Sequence, residues 1–241
     1  MKELFEKYGS LVGLSDSEKK AIEGMQTKPV AIGAGLTLTE EESHGSDNLY
    51  VVRSGRLFSS QDLASGDRAI TRLYFSGDVI GTANVPFNIA VQTVTASVES
   101  TLYRFEREKL ADTFFHHPRV AAMFYTFAAL ENAILQDRLV SVGRTSGLSR
   151  IAAIIMEIAT RRELTGANIA EPFELKLKQA EIGDAVGLTH IHVNRLMREL
   201  ERSSLIARKG TQLQILDPVR LAEVGHFLNR YEDVDTGWFE E

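Results

Sequence analysis

A chain of 241 residues, 44% hydrophobic and 25% charged, falls in the composition range of soluble globular proteins and has length for two cored domains. It contains no cysteine, which excludes disulfides, thiol redox chemistry and any cysteine-ligated zinc or iron–sulfur site. The opening Met-Lys-Glu-Leu-Phe-Glu-Lys lacks an apolar signal core and no apolar run approaches a membrane span, so a cytoplasmic location with no membrane partner is expected. The net charge of −6 is unevenly spread: residues 145–217 carry 10 Lys+Arg against 9 Asp+Glu, whereas the segments on either side are acidic.

Leu14-Ser-Asp-Ser-Glu18 fits a capping box, Ser15 with Glu18, that opens a short N-terminal helix. From about Pro29 to Phe105, short alternating runs dominate: Val30-Ala-Ile, Leu49-Tyr-Val-Val, Gly55-Arg-Leu-Phe, 70–75, 89–96 and 101–105. Turn-rich clusters at 43–48 and 64–67 separate them. Many short strands punctuated this way predict a β-sandwich or jelly roll around a small pocket.

Residues 106–141 are predicted helical, with a break or bend near His117-Pro118. Val120, Met123, Phe127, Leu130 and Ile134 step by three, four, three and four, a coiled-coil period. Phe124, Ala128 and Leu135 add a second apolar face. A helix wet on neither side is explained if one stripe meets the barrel and the other its own copy. A symmetric homodimer is therefore expected, with Val120, Met123, Phe127, Leu130 and Ile134 as its interface. Val142-Gly-Arg-Thr-Ser-Gly147 reads as a hinge. Leu148 to Glu163 reads as the next helix, with Ile151, Ile154, Ile155 and Ile158 in its core.

The stretch 179–200 carries the strongest signal. Ile182, Ala185 and Val186 make one apolar helix face, and Val193, Leu196, Met197 and Leu200 make another after a tight turn at Gly187-Leu188. Thr189 stands where an N-cap belongs. His190, Asn194, Arg195 and Arg198 then fall on the solvent side, as a helix-turn-helix presents a recognition helix to the major groove. Two alternating runs around Lys209-Gly210 predict a β-hairpin, which makes the unit a winged helix. Positive charges gather at Arg195, Arg198, Arg202, Arg208 and Lys209, and phosphate binding depends on such a local patch rather than on the whole-chain sum. Lys178, Gln179 and Thr189 are candidate phosphate contacts that position without reading sequence. The acidic tail 232–241 reads as a solvated end, with docking of a partner as the alternative.

This order of elements resembles the Crp/Fnr superfamily of bacterial transcription regulators over nearly the whole chain. Tyr50-Val-Val-Arg-Ser-Gly-Arg-Leu57, Phe75-Ser-Gly-Asp-Val-Ile-Gly81, and Glu181-Ile-Gly-Asp-Ala-Val-Gly187 leading into Val193-Asn-Arg195 carry the resemblance. It implies an α+β architecture. A jelly-roll sensor domain of the cyclic-nucleotide-binding kind would span 1–116, a dimerisation helix and hinge 117–144, and a winged helix-turn-helix domain with the acidic tail 145–241. It also implies double-stranded DNA, a second copy of the chain and RNA polymerase as partners, with helix 189–201 on a pseudo-palindromic operator. An effector pocket would involve Gly77, Asp78, Ile80, Gly81, Thr82, Val91, Thr93 and Phe127.

The departures from the family narrow the chemistry. Cyclic-nucleotide-binding members follow the Gly-Asp-x-x-Gly turn with Glu, and later place an Arg on the phosphate. Here Thr82 holds the Glu position, and no Lys or Arg lies between Arg72 and Arg104. Burying a phosphate without a cation is costly, so cAMP is disfavoured. Without cysteine there is no Fnr-like cluster. Haem is disfavoured too, since His44, His116 and His117 are the available histidines outside the DNA-binding helix and the C-terminal helix. Ile80, Ala83, Val85, Phe87, Ile89 and Val91 would line an apolar pocket that either takes a small, weakly charged ligand or is plain core. A cyclic-nucleotide-responsive or haem-based gas-sensing regulator remains the alternative.

On the DNA side, members reading TGTGA- or TTGAT-type half-sites place an acidic residue two positions after the cap. Here that position is Ile191, which could pack a thymine methyl or sit at the rim. Arg195 keeps the matching Arg for a guanine. A cupin-type enzyme would need several histidine ligands on adjacent strands, and residues 29–105 hold only His44, so no enzymatic activity is expected.

Overall fold

The computed structural model describes residues 2–43, 48–232, 234–235 and 237–239. The chain runs α1 (Lys2–Val12), α2 (Asp16–Gly24), β1 (Val30–Ile32), β2 (Thr37–Thr39), β3 (Asn48–Ser54), β4 (Leu57–Asp62), β5 (Arg68–Tyr74), β6 (Val79–Ile80), β7 (Thr93–Ala96), β8 (Ser100–Glu106), α3 (Glu108–His116) and α4 (Pro118–Arg144). It continues through α5 (Gly147–Glu163), β9 (Phe173–Glu174), α6 (Gln179–Val186), α7 (His190–Arg202), β10 (Ile206–Lys209), β11 (Gln212–Ile215) and α8 (Pro218–Gly225). Two compact units result. One holds Met1–Gln61, Leu73–Ala133 and Tyr231–Glu241; the other holds Asp62–Arg72 and Ile134–Arg230. Among the described residues no helix is long and apolar enough to cross a membrane.

The N-terminal strands form two four-stranded sheets, β1-β8-β3-β6 and β2-β7-β4-β5. Antiparallel register places Val52 opposite Leu102, and alternation turns one face of each strand inward. Ile32, Val52, Leu57, Tyr74, Ile80, Val94, Ala96 and Leu102 from both sheets fill a shared core. The run expected to be a strand from 89 to 96 is strand only from Thr93, because the Asn84 side-chain oxygen accepts from Val91 N (3.1 Å) and holds the preceding segment as a loop.

Helix α1 is absent from the sequence reading because a charge interrupts its inward face. Leu4, Lys7 and Tyr8 are all buried. Lys7 Nζ donates to Asp78 Oδ1 (2.7 Å), and neither side chain has exposed surface. Tyr8 Oη donates to the same oxygen (2.9 Å), and Phe75 N donates to Asp78 Oδ2 (2.8 Å). The Tyr8 ring lies against that of Phe127, centroids 4.1 Å apart, so α1 bridges the Gly77-Asp78 turn and α4.

The helical region breaks where the proline stands: α3 ends at His116 and Pro118 opens α4, a position where its missing N–H is not needed. No break occurs at Val142-Gly143. Helix α4 runs on to Arg144, and only Thr145 and Ser146 precede α5, whose N-cap Ser146 accepts from Ser149 N (3.1 Å).

Val120, Met123 and Phe127 are buried within their own protomer, which corrects their assignment to a dimer interface. Leu130 and Ile134 continue that face and are half-buried. The surface of α4 left open instead carries Tyr125, Ala128, Asn132, Leu135, Leu139 and Val142, at steps of three, four, three, four and three. It too has the heptad rhythm, with a polar Asn near its middle.

Candidate nucleic-acid interface

Helix α6 closes on Gly187, whose φ of +67° ends the helix in the left-handed region. Gly183 is needed for a different reason. A Cβ there would run into the Leu188 carbonyl oxygen, and Leu188 N donates to Gly183 O (3.0 Å) across the turn. At the other end of α6, the Glu181 carboxylate accepts from Lys178 N (2.7 Å). Thr189 caps α7, its hydroxyl oxygen accepting from His192 N (3.3 Å), which leaves the hydroxyl hydrogen free to donate. Ile182, Val186, Val193, Leu196, Met197 and Leu200 are buried, as are Ile151, Ile154, Ile155 and Ile158 of α5.

Because the apolar side of α7 is used up in this core, its other side is in water. His190, Arg195 and Arg198 are exposed, Asn194 is half-buried, and Ile191 is 72% exposed. A large aliphatic side chain held in water at the start of a polar-faced helix has no packing role in the protomer. Arg195 Nη2 lies 2.6 Å from His192 Nε2, one turn earlier on the same helix. Lys178 and Gln179 are exposed at the start of α6, and Lys209 is exposed beside the wing turn.

The wing pairs Arg208 with Leu213 and Lys209 with Gln212. β9 adds a third strand, one that the sequence reading did not anticipate because it is two residues long. Arg208 is already engaged, its Nη2 donating to Glu201 Oε2 at 2.7 Å. That hydrogen bond holds the Glu201 carboxyl below the usual carboxylate range, with the Arg198 charge adding to it and partial burial opposing it. Arg208 therefore ties α7 to the wing, while Lys209 beside it faces solvent.

Residues 149–224 match the family model of the Crp-like helix-turn-helix domain, and residues 29–117 match that of the cyclic nucleotide-binding domain. The chain belongs to the Crp/Fnr family of transcription regulators. This Crp/Fnr regulator is 25% identical to the transcriptional activator protein Anr of Pseudomonas protegens over 182 residues, covering 75% of this chain and 73% of Anr. It is 24% identical to the fumarate and nitrate reduction regulatory protein of Vibrio cholerae over 213 residues, covering 88% and 84%. In fold it resembles FixK2 from Bradyrhizobium japonicum, with a TM-score of 0.75 at 22% identity over 83% of this chain and 96% of that one.

The expected effector residues of this Crp/Fnr regulator are dispersed in role. Gly77, Asp78, Ile80 and Gly81 are buried, and Asp78 is committed to Lys7, Tyr8 and Phe75. Phe127 is buried beside Tyr8. Thr82, Val91 and Thr93 are half-buried. Ala83, in the 3-10 turn Thr82–Asn84, and Phe87 and Ile89, in the segment between that turn and β7, are exposed, so they do not form the apolar wall expected of them. Thr82 Oγ1 donates to Glu131 Oε2 of α4 (3.2 Å), which brings a carboxylate beside Thr82. Sequence reading missed Glu131, for which only the helix period offered a signal.

It also missed Asp184 of α6, which takes two hydrogen bonds from Arg68 (2.9 and 2.7 Å) in the same compact unit. Of the histidines considered for haem, His116 pairs with Asp112 and His117 closes α3 through its backbone, while His44 lies outside the described residues. Among the described residues, no three His, Asp or Glu side chains cluster as a metal site would require.

Proposed function

We propose that this regulator acts in the cytoplasm as a homodimer on a pseudo-palindromic operator, each α7 lying in the major groove, with RNA polymerase as a further partner. The observation that carries the reading is the division of α7. Val193, Leu196, Met197 and Leu200 are buried, while His190, Ile191, Arg195 and Arg198 face water. Arg195 would pair bidentately with a guanine, about 1–3 kcal/mol of discrimination. Ile191 stands where an acidic residue would accept from cytosine, and its exposed aliphatic surface suits a thymine methyl. Lys178, Gln179, Thr189, Asn194, Arg198 and Lys209 supply phosphate and flanking contacts. The α4 helix of the second copy would seat on Tyr125, Ala128, Asn132, Leu135, Leu139 and Val142. Functional boundaries near 116 and 144 go with this reading, although the compact units divide within α4, after Ala133, and the segment from Tyr231 belongs to the unit that holds the barrel.

The barrel would not take a cyclic nucleotide. A cyclic phosphate needs a cation, and the segment from Leu73 to Tyr103 has none, while Glu131 adds negative charge beside Thr82.

Electrophoretic shift and footprinting on the upstream region of its own gene test the DNA assignment. Arg195→Ala is expected to abolish the specific footprint and leave the dimer intact; an unchanged footprint would refute the role given to α7.

A further inference from the structure

The chain has one tryptophan, Trp238, in the C-terminal segment, and it is 59% exposed. Its ring meets Tyr125 of α4 edge to face, with centroids 5.8 Å apart and planes at 72°. Tyr125 is itself 67% exposed. Two large rings are thus held together while each keeps more than half of its surface in water. The segment leading to Trp238 is anchored on the way: Arg230 donates two hydrogen bonds to Asp137 of α4 (2.7 and 2.6 Å), and Tyr231 is buried. A tail read from sequence as a solvated acidic end therefore brings an aromatic side chain back to the helix.

Where it arrives matters. Tyr125 belongs to the open heptad face of α4, continuous with Ala128, Asn132, Leu135, Leu139 and Val142. Both recognition helices must meet one DNA duplex, so two α4 helices in a dimer run parallel, and a parallel pair sets like positions side by side. Each Tyr125–Trp238 pair then lies at the same end of the seam as its two-fold mate. Exposed aromatic anchors next to an apolar seam are the chemistry of interface hot spots, large in area and low in side-chain entropy.

We propose that the Tyr125–Trp238 pair is the aromatic anchor of the dimer. The occupant that covers it is a second copy of this chain, so the C-terminal segment is part of the dimer interface. This rests on the dimer reading above and adds to it a contact outside α4.

The lone tryptophan supplies its own probe. Intrinsic emission of the full chain is followed through a dilution series in which sedimentation velocity tracks the dimer. Emission is expected to shift to longer wavelength as the dimer dissociates, with the same midpoint in both measurements. Trp238→Ala, and a chain stopped after residue 232, are each expected to weaken the dimer roughly tenfold or more, while Trp238→Phe largely retains it. Thermal melts by circular dichroism check that the variants keep the fold. Emission that stays constant across dissociation, or a dimer indifferent to both variants, overturns the anchor and leaves the dimer reading standing. A chain that remains monomeric at every concentration overturns both.

Discussion

Lys7 shows how far one side chain's fate can lie from its neighbours in sequence. A buried ammonium is tolerated only when paired, and its partner Asp78 is 71 positions away. Removing one member of a buried pair leaves the other charge uncompensated. Lys7→Ala is therefore expected to lower the unfolding free energy by about 3–5 kcal/mol, read as a fall in the urea midpoint at constant slope. An unaltered midpoint would mean that the pair contributes nothing net. Local pattern makes Lys7 a surface residue, since it interrupts the apolar face of α1. By contrast, the exposure of His190, Arg195 and Arg198 was legible in advance, because the three-and-four spacing of Val193, Leu196, Met197 and Leu200 leaves them no other side. Ile191 was legible as a departure, and its 72% exposure shows that it is not spent on the protein core.

Helix α4 illustrates a limit at the scale of the element. Two stripes satisfy the same alternation of three and four, and periodicity alone does not say which one meets the barrel. The stripe through Val120, Met123 and Phe127 is buried in the protomer, partly under Tyr8 of a helix that sequence did not announce. The stripe through Tyr125, Leu135 and Leu139 stays open. Leu139→Glu, at a position 74% exposed, is accordingly expected to turn the dimer into a monomer in sedimentation without lowering the melting temperature of the protomer. A dimer that survives this charge would place the interface elsewhere. The break at Pro118 and the caps at Ser15 and Thr189 were readable because each depends on residues within four positions of one another. The two-residue strands β6 and β9 were not, since so short a run has no period to detect.

For the molecule as a whole, a domain matching the cyclic nucleotide-binding model contains a stretch, residues 73–103, with no Lys or Arg. Calorimetry with cAMP and cGMP is expected to give no saturable heat at micromolar ligand, and a clean micromolar isotherm would mean that a cation outside residues 73–103 meets the phosphate. The order of domains and the winged helix with its solvent-facing polar edge could be read from the amino-acid order, because they rest on local periodicity and capping. The burial of Lys7 on Asp78, the approach of Glu131 to Thr82, the outer stripe of α4 and the return of Trp238 to Tyr125 could not. Each joins residues far apart in the chain, and such pairings are chosen by how the whole set of faces packs at once, a competition that no window of neighbouring residues contains.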